Sequence, residues 1–227
     1  MSAAAAEDGP ALALCGSNVD GATAFSAAVR RGGEVVLELP AADERGDLAV
    51  LARRALARAG VAARDLREVR VDRGPGSYIG LRVAVTTARI LAAFAPARLL
   101  VADSLALAAA AADAPDGPAR RCPVLDGRQG RLQFAAFAAA PDGRLETAHR
   151  ATLLADADLG AALRPGDALL AAPPLHGRLS AAATAAGATL LPMPRVTAAA
   201  LFAPALSLEE QAAEAVEPLY LTGSYAS

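Results

Sequence analysis

The stretch Arg73-Gly74-Pro75-Gly76-Ser77-Tyr78-Ile79-Gly80 stands between an alternating apolar run, Leu66–Val71, and a segment of helical periodicity from Leu81 to about Phe94. A strand that turns through such a loop into a helix presents backbone N–H groups at the positive end of the helix dipole, which suits an anion such as phosphate. Glycine also permits positive φ and close backbone approach, so the same turn could simply hold a strand against a helix. The spacing matches neither the dinucleotide fingerprint nor a Walker loop. Both readings, phosphate contact and structural turn, stay open for Gly74, Pro75, Gly76, Ser77 and Gly80.

The other residues capable of chemistry do not assemble into a recognisable set. His149 and His176 have no His, Cys or carboxylate nearby at metal-ligand spacing, so a surface or loop role is expected and no metal is proposed. Ser77 lacks a nucleophile-elbow context, and Cys15 reads as a small core residue rather than a thiolate. Asp126 falls in a turn and Asp103 before a helix, where turn-forming and capping roles suffice. No catalytic residue is assigned. Arg82 and Arg89 lie seven apart and share a helix face that could meet acidic groups on a partner.

The elements that must position these residues follow from periodicity and turn chemistry. Ala11–Cys15, Thr23–Arg30 and Glu34–Leu39 read as three antiparallel strands, joined by turns at Gly16–Gly21 and Gly32-Gly33. Asp47 can cap a helix in which Leu48, Leu51, Ala55 and Ala59 share a face, with Gly60 ending it. Pro96 closes the helix after the glycine loop, Arg98–Val101 is a strand, and Asp103 or Ser104 can cap a helix over Leu105–Ala112. A linker at Ala114–Pro118 separates lobes spanning 11–114 and 119–227, with a frayed tail at 1–10. Cys122–Leu125 and Arg131–Ala139 form a second hairpin around Asp126–Gly130. Beyond Ala140 no periodicity lasts. The expectation there is a turn at Asp142-Gly143, strands at Leu169–Ala172 and Ala188–Leu191, helices at Leu179–Gly187 and Thr197–Ala203, and an extended Pro218–Leu221.

Composition limits the function further. Of 227 residues, 54% are hydrophobic and 20% charged, enough apolar surface for a folded core. Much of that surface is alanine, with no Trp and only five Phe, so the core is thin and an obligate partner is expected. A formal net charge of −2 provides no basic field for direct RNA binding. Two cysteines without a CxxC pattern fit a reducing cytoplasm. No run of about 20 strongly apolar residues exists to span a membrane.

The run Gly74-Pro75-Gly76-Ser77-Tyr78-Ile79-Gly80-Leu81-Arg82 resembles the GPGSFTGxR signature of the TsaB (YeaZ) family, a bacterial subunit of the machinery that makes threonylcarbamoyladenosine in tRNA. The resemblance continues in order. Arg98–Leu105 is similar to the family's strand leading into a serine-bearing helix cap, Val124–Phe137 to its DARMGEVYWAEY hairpin, and Glu217-Pro218-Leu219-Tyr220-Leu221 to its EPVYLR. Three positions depart from the pattern. Leu14-Cys15-Gly16-Ser17 stands where the first strand usually ends in Asp-Thr, Glu44-Arg45-Gly46-Asp47 where the first helix opens with Glu-His, and Tyr78-Ile79 in place of Phe-Thr.

The resemblance implies an α/β actin-like (ASKHA, ribonuclease H-like) fold of two similar lobes. It also implies a scaffold subunit without catalysis of its own that pairs with a TsaD-like transferase. A TsaE-like ATPase joins the pair, TsaC supplies the threonylcarbamoyl-adenylate, and tRNA is reached only through the complex. ATP or ADP is expected only with those partners present. The family pairs through its first two helices, which carries the expected interface to Leu48, Leu51, Ala55, Leu81, Arg82, Ala84, Val85, Ala88 and Arg89. The same helices could also form a homodimer. The alternatives are an active ASKHA ATPase or phosphotransferase using Gly74–Gly80, and, last, a metallopeptidase-like protein.

Overall fold

The computed structural model describes residues 9–41, 46–112 and 120–221. Residues 1–8 of the tail expected at 1–10, the Glu44-Arg45 positions and the linker Ala114–Pro118 lie outside the described residues.

Strands β1 (Ala11–Cys15), β2 (Ser26–Arg31) and β3 (Glu34–Glu38) pair antiparallel, and β4 (Glu68–Asp72) and β5 (Arg98–Ala102) extend the sheet parallel to β1. Helices α1 (Leu48–Ala59) and α2 (Tyr78–Phe94) cover one face. Helix α1 starts where the Asp47 carboxyl accepts the Ala49 N–H at 2.8 Å and ends at Gly60, whose φ is +62°. Helix α2 begins three residues earlier than its periodicity suggested. Ser77 caps it by accepting the Gly80 N–H at 3.3 Å.

The second sheet repeats the first. Strands β6 (Arg121–Arg128), β7 (Arg131–Ala139) and β8 (Leu145–Ala155) run antiparallel; α4 (Leu159–Ala162), β9 (Ala168–Ala171), α5 (His176–Ala185) and β10 (Thr189–Pro192) follow, with β9 parallel to β6 and β10 parallel to β9. In both sheets the lobe's first strand is central, its hairpin partners lie to one side and its parallel strands to the other. This agrees with the two-lobed α/β expectation.

Helix α3 (Ser104–Ala111) lies between the sheets. Leu107 and Ala108 pack with Ala13, Cys15 and Ala28 of the first sheet, while Leu105 and Ala109 pack with Ala135 and Phe137 of the second. A helix that is apolar all round belongs in such a position.

Two expectations change. Residues 193–206 do not stay with the second lobe, because Met193, Val196, Leu201 and Leu206 bury themselves against the open face of the first sheet. The chain then adds β11 (Glu209–Glu210) to β5. The thin alanine face of β1 and β2 exposes too little side chain to close itself, and the returning segment covers it. The helix expected at Thr197–Ala203 is a 3₁₀ segment, Ala198–Phe202.

Candidate functional site

The end of β4 forms the hub of the glycine loop. The side chain of Asp72, fully buried, accepts hydrogen bonds from the backbone N–H groups of Gly16 (3.0 Å) and Ser17 (3.1 Å), from Ser104 Oγ (3.1 Å) and from Cys15 Sγ (3.3 Å). Ser104 Oγ in turn accepts the Gly74 N–H at 3.0 Å, and the Ser104 N–H donates to the Gly74 carbonyl at 2.7 Å. A single carboxyl group thus ties together the β1 turn, the glycine loop and the start of α3. Two backbone donors of the β1 turn are thus satisfied by an internal group.

The glycine loop is held on its other flank as well. The Ser77 N–H donates to the Ser17 carbonyl at 2.7 Å. Any side chain at Gly76 or Gly80 would collide with backbone: a Cβ would stand 2.4 Å from the Ser17 carbonyl oxygen and 2.0 Å from that of Gly16, respectively. The Gly74–Pro75 peptide is cis. These contacts use Gly74, Gly76, Ser77 and Gly80 as a structural joint.

The C-terminal stretch completes the loop's surroundings. The Leu219 N–H donates to the Arg73 carbonyl at 2.6 Å, and the ring of Tyr220 lies 5.0 Å from that of Tyr78. Arg82 donates to Tyr78 Oη at 2.7 Å with its guanidinium 5.5 Å above the ring. Burial pushes the Tyr220 hydroxyl up, with Tyr78 adding to it, and among the described residues that hydroxyl has no hydrogen-bond partner. Pro75–Ile79, Asp126–Arg128, Gln133 and Leu219–Leu221 line a cleft of about 420 Å³ between the lobes.

Asp126, Asp103, Cys15, His176 and His149 each have an internal contact. Asp126 accepts from Arg178 Nη1 at 2.9 Å, which holds its carboxyl below the usual carboxylate range. Asp103 stands at the N-cap position of α3, as the sequence allowed, but its side chain pairs with Arg73 at 3.0 Å and makes no cap hydrogen bond. Burial pushes the Cys15 thiol well up, the Asp72 charge adding to it, which suits a core residue. His176 Nε2 meets the Ala171 carbonyl at 3.0 Å, and His149 packs edge-on against Phe134. Among the described residues no group of three or more His, Cys, Asp or Glu could hold a metal ion, and no helix is long and apolar enough to cross a membrane.

The expected interface residues need correction. Leu48, Leu51, Ala55, Ala84, Val85 and Ala88 are sealed against the first sheet within the chain, and Leu81 is fully buried beside Gly74. These were the residues of strongest helical periodicity, and such a stripe marks the face turned to a protein's own core. The outer faces of the same helices carry Ala49, Arg53 and Ala57 on α1 and Val83, Ile90 and Phe94 on α2; Ile90 is 63% and Phe94 66% exposed. Arg82 is exposed and Arg89 half-buried. Between the helices runs a groove of about 560 Å³ lined almost wholly by apolar side chains.

Sequence reasoning missed Asp72. Its signal was an acidic residue at the end of a strand otherwise built for burial, immediately before a glycine loop.

The family model described as TsaD, tRNA N6-adenosine threonylcarbamoyltransferase, matches residues 27–157, more than half of the chain. The chain belongs to that family. Two solved structures from Pseudomonas aeruginosa are similar: YeaZ, with 21% identity and a TM-score of 0.73, and an uncharacterized protein with similarity to peptidase YEAZ, with 23% identity and a TM-score of 0.71. Each comparison covers 94% of this chain and 100% of the other. The fold is therefore the actin-like ASKHA fold of YeaZ, in agreement with the resemblance of Gly74–Arg82 to the TsaB (YeaZ) signature. No curated protein matches.

Proposed function

We propose that this chain acts in tRNA threonylcarbamoyladenosine biosynthesis as a non-catalytic, cytoplasmic TsaB-type subunit that docks on a TsaD-type transferase through the outer faces of α1 and α2. The observation that carries this reading is the exposed apolar surface of Ile90 and Phe94 beside the 560 Å³ groove, a patch of the kind that marks an interaction site. The packing of Gly76 and Gly80 against the backbone of Ser17 and Gly16 supports a chain whose glycine loop serves structure and leaves nucleotide chemistry to its partners. A TsaE-type ATPase would join the assembled pair, and tRNA would be engaged by the complex.

Reconstitution tests the proposal. The purified chain, mixed with its cognate transferase, the threonylcarbamoyl-adenylate source, the ATPase and unmodified tRNA, should support formation of modified adenosine, and Ile90→Asp should abolish both complex formation and modification. Full modification without this chain, or nucleotide turnover by the chain alone, would overturn it in favour of an ASKHA ATPase.

A further inference from the structure

The last described stretch of the chain walls the cleft between the lobes. Val216 is fully buried in the core of the first lobe, and from it residues 217–221 run past the glycine loop without regular secondary structure. Leu219, Tyr220 and Leu221 line the cleft of about 420 Å³ together with Asp126–Arg128 and Gln133 of the β6–β7 hairpin.

Two contacts hold this strap down. Among the described residues, the donation of the Leu219 N–H to the Arg73 carbonyl is the one hydrogen bond made by residues 217–221. Gly74 leaves room for it, since a Cβ there would stand 2.5 Å from the Leu219 carbonyl oxygen. The Tyr220 ring rests 5.0 Å from that of Tyr78, which Arg82 holds in place. A segment near the chain end with so few bonds belongs to the low-stability end of a native structure and opens without the rest of the fold.

The same residues carry a force against closure. With the strap down, Tyr220 Oη is buried and unpartnered among the described residues, as is Gln133 Oε1, also of the cleft wall. A hydroxyl that leaves water without gaining a partner opposes the state that hides it, and lifting the strap returns it to solvent. The ring of Tyr220 therefore favours closure while its hydroxyl opposes it.

We propose that residues 217–221 form a lid over the inter-lobe cleft, hinged at Val216 and kept near balance between shut and open by the unpaired Tyr220 hydroxyl. The lid governs entry to the cleft and is independent of docking through α1 and α2.

Native-state hydrogen exchange of the full chain reads the lid at the Leu219 amide. Exchange there should be faster than at Leu14, in the central strand β1, which is exposed only when the whole fold opens. Tyr220→Phe removes the orphan hydroxyl and keeps the ring, and should slow Leu219 exchange about fivefold or more. Tyr220→Ala removes the ring contact and should speed it by about the same factor. Entry to the cleft is read with Gln133→Cys, whose thiol would stand nearer the strand than the buried Oε1. Its labelling by iodoacetamide should slow with Tyr220→Phe and quicken with Tyr220→Ala, at an unchanged circular dichroism spectrum. A Leu219 amide as slow as that of Leu14 would show the strap welded to the fold and overturn the lid, as would labelling indifferent to both Tyr220 variants. Leu219 exchange unchanged or quickened by Tyr220→Phe would overturn the role of the hydroxyl.

Discussion

Gly80, in the first turn of α2, packs backbone to backbone against Gly16 at the end of β1, so closely that a methyl group on Gly80 would sit 2.0 Å from the Gly16 carbonyl oxygen. The first turn of a helix and the end of a strand meet here with no room between them. The neighbouring atom is main chain and cannot rotate away, so the substitution must displace α2 or the β1 turn.

Gly80→Ala is accordingly expected to destabilise the chain by roughly 1–3 kcal/mol, the usual cost of overpacking, read as a fall in the urea midpoint. Gly160→Ala provides the control. That glycine lies in α4 with nothing within 4 Å of the place an added methyl group would take, and its replacement should leave the midpoint unchanged or slightly raised.

Asp72→Asn keeps the shape of the hub but replaces one accepting oxygen by a donor, which then faces the N–H of Gly16 or Ser17 and the hydroxyl of Ser104. A loss of about 1–3 kcal/mol is expected for a buried group left without its partner. Amide hydrogen exchange should localise the effect, with faster exchange at Gly16, Ser17 and Gly74 before any change in β7.

Glu68 predicts an acid limb in the stability profile. Its side chain is 4% exposed and faces Arg70 at 2.6 Å, Arg30 at 3.9 Å and Arg98. Burial alone would raise its carboxyl; the Arg70 and Arg98 guanidiniums outweigh burial and hold it below the ordinary 4.5. Because the folded value lies below the unfolded one, the contribution is complete above about pH 4.5 and disappears as pH falls through the lowered folded value. Glu68→Gln should flatten the unfolding free energy over that window, as measured by denaturant titration at successive pH values.

Burial pushes the Cys122 thiol up to about 12, with the Asp167 charge adding to it, and Cys15 is also raised. Both cysteines are free and buried. Neither should take up iodoacetamide in the folded chain at pH 8, and both should react in denaturant, as counted by intact-mass spectrometry. Labelling of Cys15 in the folded chain would contradict the packing described for the Asp72 hub.

The first lobe was readable because its strands are short apolar runs bounded by glycine turns and its helices carry start and stop signals: Asp47 before α1, Gly60 after it, and the glycine loop before α2. The long strand β8 was not readable. Its residues Glu146–Arg150 are exposed at the sheet edge, so burial imposes no apolar alternation on them. The interface illustrates the same limit from the other side. Periodicity located α1 and α2 correctly but marked the inward stripe, Leu51 and Val85 among it, since a chain's own core and a partner's surface select similar side chains. Asp72 escaped notice because its meaning lies in Gly16, Ser17 and Ser104, far from it in sequence and adjacent only after folding.

Helix α3 contributes Leu107 to one core and Leu105 to the other. Neither lobe can melt without stripping that shared wall of half its neighbours, so heat should unfold the two halves in one calorimetric transition with matching van't Hoff and measured enthalpies. A protein built this way trades independent movement of its halves for rigidity, a property suited to holding another molecule in shape.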